Sequence, residues 1–174
     1  CYHHMGDTLD ALKHYKYTQQ LHPYIAQIYN NQSLLMASQG QAHSALGELR
    51  KAIALDPSYT DAHYNLGNTF HGEAQPKAAY RHLKIALTLQ PHHAQASVNL
   101  GLACFEMAKY SSAIRHYRRA ICLNPTLHQA PLNLGNALIE EGQLTEALRH
   151  FDHAVLLKPK TAEAHMNRGN ALQR

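Results

Sequence analysis

Five prolines, Pro23, Pro57, Pro91, Pro125 and Pro159, stand thirty-four residues apart, and only Pro76 and Pro131 fall outside that register. Proline locks φ and has no N–H to continue a helical ladder, so it ends a helix wherever it falls past the first turn. Stops at a constant interval therefore cut the chain into equal units. The same period carries Ala11, Ala45, Ala79, Ala113 and Ala147, then Leu21, Leu55, Leu89, Leu123 and Leu157, and also Gly67, Gly101, Gly135 and Gly169. Within a period apolar residues fall three and four apart, as in Leu144, Ala147, Leu148, Phe151, Ala154 and Val155, which puts them on one helix face. Each period holds two such stretches, joined near Gly40 or Gly142. The unit is a helix, a tight turn, a second helix and a stop.

Composition agrees with an all-α fold. Of 174 residues 45% are apolar, enough for a core, and Ala and Leu, which lose little on entering a helix, lead the apolar set. No apolar run approaches the length of a membrane span, and Cys1-Tyr2-His3-His4 resembles neither part of a signal peptide. Cys1, Cys104 and Cys122 are odd in number and lack CxxC spacing, which argues against a disulfide framework or a zinc knuckle. A reducing, cytoplasmic location is the expectation.

The run Asn65-Leu66-Gly67-Asn68, followed by Ala79, Leu83, Ala86 and Pro91, resembles the tetratricopeptide repeat. The resemblance implies a right-handed α-solenoid of tandem helix-turn-helix repeats in a single array. Full repeats would cover 26–59, 60–93, 94–127 and 128–161, with partial repeats at 1–25 and 162–174. Small Ala and Gly let helices approach closely while larger residues fill the space between them. The repeat at 26–59 departs most, with Gln32, Ser33 and Met36 at signature positions, so its first helix is expected to pack least well.

The resemblance further implies that the first helices line a concave surface and touch ligands at positions 2, 5, 6, 9, 12 and 13 of each repeat. Position 6 is Asn31, Asn65, Asn99, Asn133 and Asn167, and position 9 adds Asn68, Asn136 and Asn170. A primary amide has the donors and acceptor of a peptide bond, so a column of Asn can pair with an extended backbone whatever its side chains. The column resembles the asparagine ladder in the repeat superhelix of O-linked N-acetylglucosamine transferase. The plainer alternative is that Asn merely caps or solvates the groove. Tyr64, Val98, Leu102, Phe105, Leu132 and Ile139 form an apolar strip between the amides, though Phe105 and Ile139 could equally be core. The groove floor is expected to be uncharged. A carboxylate clamp of the co-chaperone kind would need Lys or Arg where Tyr64, Gln129 and Asn133 stand, although Asn68 and Asn99 match it.

Formal charge is +4, and Lys13, Lys16, Arg81, Lys84, Arg115, Arg118 and Arg149 recur on second helices as a stripe on the outer face, without interleaved aromatics that would mark a nucleic-acid site. His14, His82, His116 and His150 recur in the same way, but successive repeats lie a helix-packing distance apart, too far to share one metal. His150 and His153 form a local pair with no third ligand, so neither metal nor cofactor is expected. No nucleophile elbow, phosphate loop or paired carboxylates in a cleft suggest catalysis, and Glu140-Glu141 reads as a solvated helix end. The expected function is a non-enzymatic scaffold for an extended protein or peptide partner. The alternatives are the substrate-recognition arm of a larger enzyme such as a glycosyltransferase, and an end-to-end self-assembly module. The last expectation rests on Ala171, Leu172, Tyr2, Met5 and Leu12 as core residues left exposed at uncapped ends.

Overall fold

The structure is a computed structural model that describes the backbone of residues 5–173 and the side chains of residues 10–173. Ten α-helices account for the regular structure of the described residues, and they fall into two compact units, residues 1–89 and 90–174. The first unit holds α1 (Met5–Leu21), α2 (Ala26–Ser38), α3 (Ala42–Leu55), α4 (Thr60–Gly72) and α5 (Pro76–Leu89). The second holds α6 (Ala94–Glu106), α7 (Tyr110–Leu123), α8 (Gln129–Glu140), α9 (Leu144–Leu157) and α10 (Ala162–Leu172). Within each unit a helix packs on the next, and first helices also meet one another, α2 on α4, then α6 on α8 and α8 on α10.

Packing follows a fixed exchange of small for large. Ala45, Ala52, Ala79, Ala86, Ala113, Ala120 and Ala147 are wholly buried, which lets the helix backbones close on one another. The Gly in the middle of α4, α6 and α8 receives a large side chain from the helix that follows. A Cβ on Gly67 would meet Leu83 Cγ at 2.6 Å, and one on Gly101 would meet Tyr117 Cε1 at the same distance, so hydrogen is the only side chain these seats accept. Gly135 stands in the same relation to Phe151.

The repeat at 26–59 buries its divergent polar residues with partners. Its Ser33 is buried opposite α3, where the other repeats have Gly, and its hydroxyl is satisfied by donating to the Asn30 carbonyl at 2.6 Å. Gln32 is buried too and donates to Gln19 Oε1 at 3.3 Å. Polar signature residues are tolerated here because each finds a partner inside the unit.

The first helices α2, α4, α6 and α8 end in the same reversal. Gly40 N–H donates to Ala37 O at 3.0 Å and Gln41 N–H to Met36 O at 3.0 Å, the paired bonds of a Schellman cap. Residues 74–75, 108–109 and 142–143 repeat the pattern. The capping residue must adopt positive φ, and it does: Gly40 at 75°, Ala74 at 54°, Ala108 at 55° and Gly142 at 73°. Two of the four caps therefore place an alanine where glycine is favoured.

Second helices end just before the recurrent proline, and at Pro23, Pro57, Pro91 and Pro159 its carbonyl is met by a side chain from a nearby helix. Tyr29 Oη donates to Pro23 O at 2.8 Å, and His165 Nε2 to Pro159 O at 2.8 Å. His63 Nε2 meets Pro57 O at 3.1 Å, while Arg119 Nη2 donates to Pro91 O at 2.7 Å. Asp56 Oδ1 and Asn124 Oδ1 fold the same corner by accepting from the backbone and hydroxyl of Ser58 and Thr126.

Candidate functional site

Within each unit, amides of the expected Asn positions meet those of a neighbouring first helix. Asn65 Nδ2 donates to Asn30 Oδ1 at 2.8 Å, joining α4 to α2, and Asn167 Nδ2 donates to Asn136 Oδ1 at 2.9 Å, joining α10 to α8. Gln95 Nε2 donates to Asn99 Oδ1 at 3.1 Å within α6. Each bridged amide spends one bond holding first helices together and keeps the rest of its donor and acceptor capacity. Asn31, Asn68, Asn99 and Asn133 are half-buried, and Asn170 is exposed.

In the second unit several of the expected residues converge on one cleft of about 370 Å³. Phe105 and Ile139 supply apolar wall, and Asn136, Asn167 and Asn170 supply amides, with the buried Phe151 and Ala171 beneath. Phe105 is half-buried and set edge-on against Tyr110 with ring centroids 5.3 Å apart, so packing fixes its orientation. The volume lies in the range that holds a few side chains of a ligand.

Other expected residues are placed elsewhere. Val98 is 2% exposed and Leu132 is 4% exposed; both belong to the core and correct the strip as first drawn. The Asn30–Asn65 bridge shows the reason. The fifth position of one repeat faces the sixth of the next, so an apolar side chain there is covered by the following first helix. Leu102 and Tyr64 are half-buried and do not line the cleft. The floor is also not uncharged, because Glu140 and Glu163 both line it. Both stand at groove positions, thirteen and two, where only amides and apolar residues had been counted. Of the residues expected to be exposed at the ends, Ala171 is 2% exposed and hence core, Leu12 is half-buried, and Leu172 is 60% exposed. Cys1, Tyr2 and the side chain of Met5 lie outside the described residues.

Some of the basic side chains have acidic partners. Arg118 Nη2 meets Glu146 Oε1 at 2.7 Å, which holds that carboxyl below its ordinary range, and Lys13 pairs with Asp10 at 2.9 Å. Arg168 pairs with Asp152. The recurrent histidines His82, His116 and His150 are all shifted toward the neutral form, first by burial, with neighbouring arginines adding to it. His82 also stacks on Phe70 and faces His63 Nδ1 at 3.2 Å. Since His63 Nε2 must donate to the Pro57 carbonyl, His63 Nδ1 is the acceptor and His82 Nδ1–H the donor. Burial raises the Cys104 thiol, and Cys122 is exposed. Among the described residues no three His, Cys, Asp or Glu are grouped to hold a metal ion, and no helix is long and apolar enough to cross a membrane.

Sequence comparison matches the repeat unit directly. The family model described as TPR repeat covers residues 34–72 and 135–174, and that described as Tetratricopeptide repeat covers residues 94–127. No curated protein matches the sequence. Among solved structures, MamA is similar with a TM-score of 0.82 at 25% identity, over 94% of this chain and 99% of that one. YrrB, described as a TPR protein with an unusual peptide-binding site, has a TM-score of 0.80 at 26% identity, over 91% and 82%. PilF of Pseudomonas aeruginosa has a TM-score of 0.78 at 25% identity, over 86% and 68%. With tandem helix pairs, glycine seats and proline stops in place, the chain defines an all-α repeat scaffold. It belongs to the tetratricopeptide-repeat family, whose arrays serve as protein-interaction scaffolds.

Proposed function

We propose that this chain is a non-catalytic scaffold that holds an extended segment of a partner protein along its first helices. The amides of the Asn column would pair with the partner's backbone, and Phe105 and Ile139 would receive its apolar side chains. The observation that carries this reading is the cleft of the second unit, where amides from α8 and α10 and apolar side chains from α6 and α8 share one opening. Amides can satisfy peptide N–H and C=O groups without regard to sequence, and apolar pockets add selectivity. The likeness to YrrB, a repeat protein described as having a peptide-binding site, supports the same reading.

A library of random nonapeptides displayed on phage, panned against the purified chain, tests it. Retained peptides should bind Asn133→Ala/Asn170→Ala more weakly by about 1 to 3 kcal/mol, because each truncation strands a backbone partner. Thermal stability should hardly change, since neither amide bridges two helices. Equal affinity for wild type and double variant would remove the column from the account.

A further inference from the structure

Among the described residues, the cleft of the second unit is lined by two carboxylates and no cation. Glu140 and Glu163 line it, while Phe105, Ile139, Asn136 and Asn167 contribute only apolar and amide groups. Neither carboxylate takes part in a hydrogen bond or ion pair among the described residues, although Arg118, Lys13 and Arg168 elsewhere in the chain all find acidic partners.

Glu163 has an ordinary explanation, because it lies in the first turn of α10, where the helix dipole favours an acid. Glu140 is not favoured in this way. It is an exposed residue, the last of α8, at the negative end of that helix's dipole, and Glu141 follows it. Glu141 at least accepts a hydrogen bond from Ser111 Oγ at 2.7 Å. Glu140 therefore stands at the less favourable end of its helix, without a cationic partner among the described residues, on the wall of an opening whose lining apart from Glu163 is apolar and amide. A cation placed in that opening would share it with both carboxylates.

We infer that the cleft selects an extended segment bearing a lysine or arginine next to an apolar side chain, the cation lying toward Glu140 and Glu163 and the apolar group against Phe105 and Ile139. This rests on the peptide-holding function proposed above and names its ligand class. The chain's overall charge of +4 favours acidic ligands through the long-range field, so a preference for basic ones can only arise locally.

The test compares three fluorescent nonapeptides of alternating serine, leucine and a variable residue, which is lysine, glutamine or glutamate, titrated by anisotropy. The lysine peptide should bind about two- to fivefold tighter than the glutamine peptide for each carboxylate engaged, and the glutamate peptide weakest. The order should flatten at 0.5 M salt and in Glu140→Gln/Glu163→Gln, whose circular dichroism should match wild type. Equal binding of all three peptides would overturn the charge preference and leave the peptide-holding function standing. A lysine preference that survives in the double variant would overturn its assignment to these carboxylates. Failure of every peptide to bind, combined with no enrichment from the random library, would overturn both.

Discussion

Four first helices end in the same Schellman reversal, yet two of them put alanine, Ala74 and Ala108, at φ of 54° and 55°. An L-residue with a Cβ pays about 1 to 2 kcal/mol for the left-handed region. Replacing it by glycine releases that strain but gives the unfolded chain more freedom, a loss of about 0.4 to 1 kcal/mol. Ala74→Gly and Ala108→Gly should therefore each stabilise the protein by about 0.5 to 1 kcal/mol. The reverse change supplies the control. Gly142 has φ of 73° and nothing within 4 Å of where a Cβ would stand, so Gly142→Ala adds strain with no clash and should destabilise by about the same amount. Gly47 is likewise open but lies within α3, with no positive φ, so Gly47→Ala should stabilise by about 1 kcal/mol. Urea midpoints for the four variants, read by circular dichroism at 222 nm, check the pattern of signs. If Ala74→Gly and Ala108→Gly lower the midpoint while Gly142→Ala leaves it unmoved, the strain argument is wrong.

Gly101→Ala should destabilise by about 1 to 3 kcal/mol, since its Cβ would press on Tyr117, which is buried and cannot yield; thermal melts measure this. Tyr117→Leu in the same chain should restore part of the loss, and failure to do so would dissociate the pair. Ser97 has a buried hydroxyl with no partner in the structure, so Ser97→Ala should be neutral or stabilising by up to about 1 kcal/mol in a urea titration. His82, His116 and His150 are held toward the neutral form in the fold, so the unfolded chain takes up protons at a higher pH than the folded chain does. Stability is then full above the ordinary histidine range, near pH 6.5, and falls as pH drops through that value toward the lower folded values. Melting temperature measured from pH 7.5 to 5 should decline, and His82→Phe should decline less; a flat profile would contradict the assignment.

Proline and glycine made the repeat legible because each marks a backbone requirement that no other residue meets as well. The same logic located the reversals at Gly40 and Gly142 but had no marker for Ala74 and Ala108, where tertiary packing overrides the residue's own preference. Asn could be placed in a column from spacing alone. That Asn65 and Asn167 would reach back to Asn30 and Asn136 depends on side-chain rotamers and helix separation, neither of which a linear pattern contains. Val98 and Leu132 occupy groove positions by number yet are covered by the following first helix, since burial is decided by the neighbour and not by the register. Glu140 and Glu163 were in plain view at groove positions, and their meaning came only with the absence of nearby cations in the cleft.

On the proposed reading, the Asn bridges divide the amides into two kinds of recognition element. Asn65 and Asn167 are fixed by a neighbouring helix before any partner arrives, so the rotamer entropy that binding would otherwise cost has already been lost in folding. Asn170, exposed and unbridged, still has to be ordered, at about 0.5 to 1.5 kcal/mol for a mobile side chain. Preorganisation of this sort makes Asn30, which is itself buried, a remote support for whatever Asn65 touches. An Asn30→Leu protein would keep the whole presented surface and lose the rigidity behind it, so its effect would appear as faster dissociation of a partner from the first unit rather than slower capture.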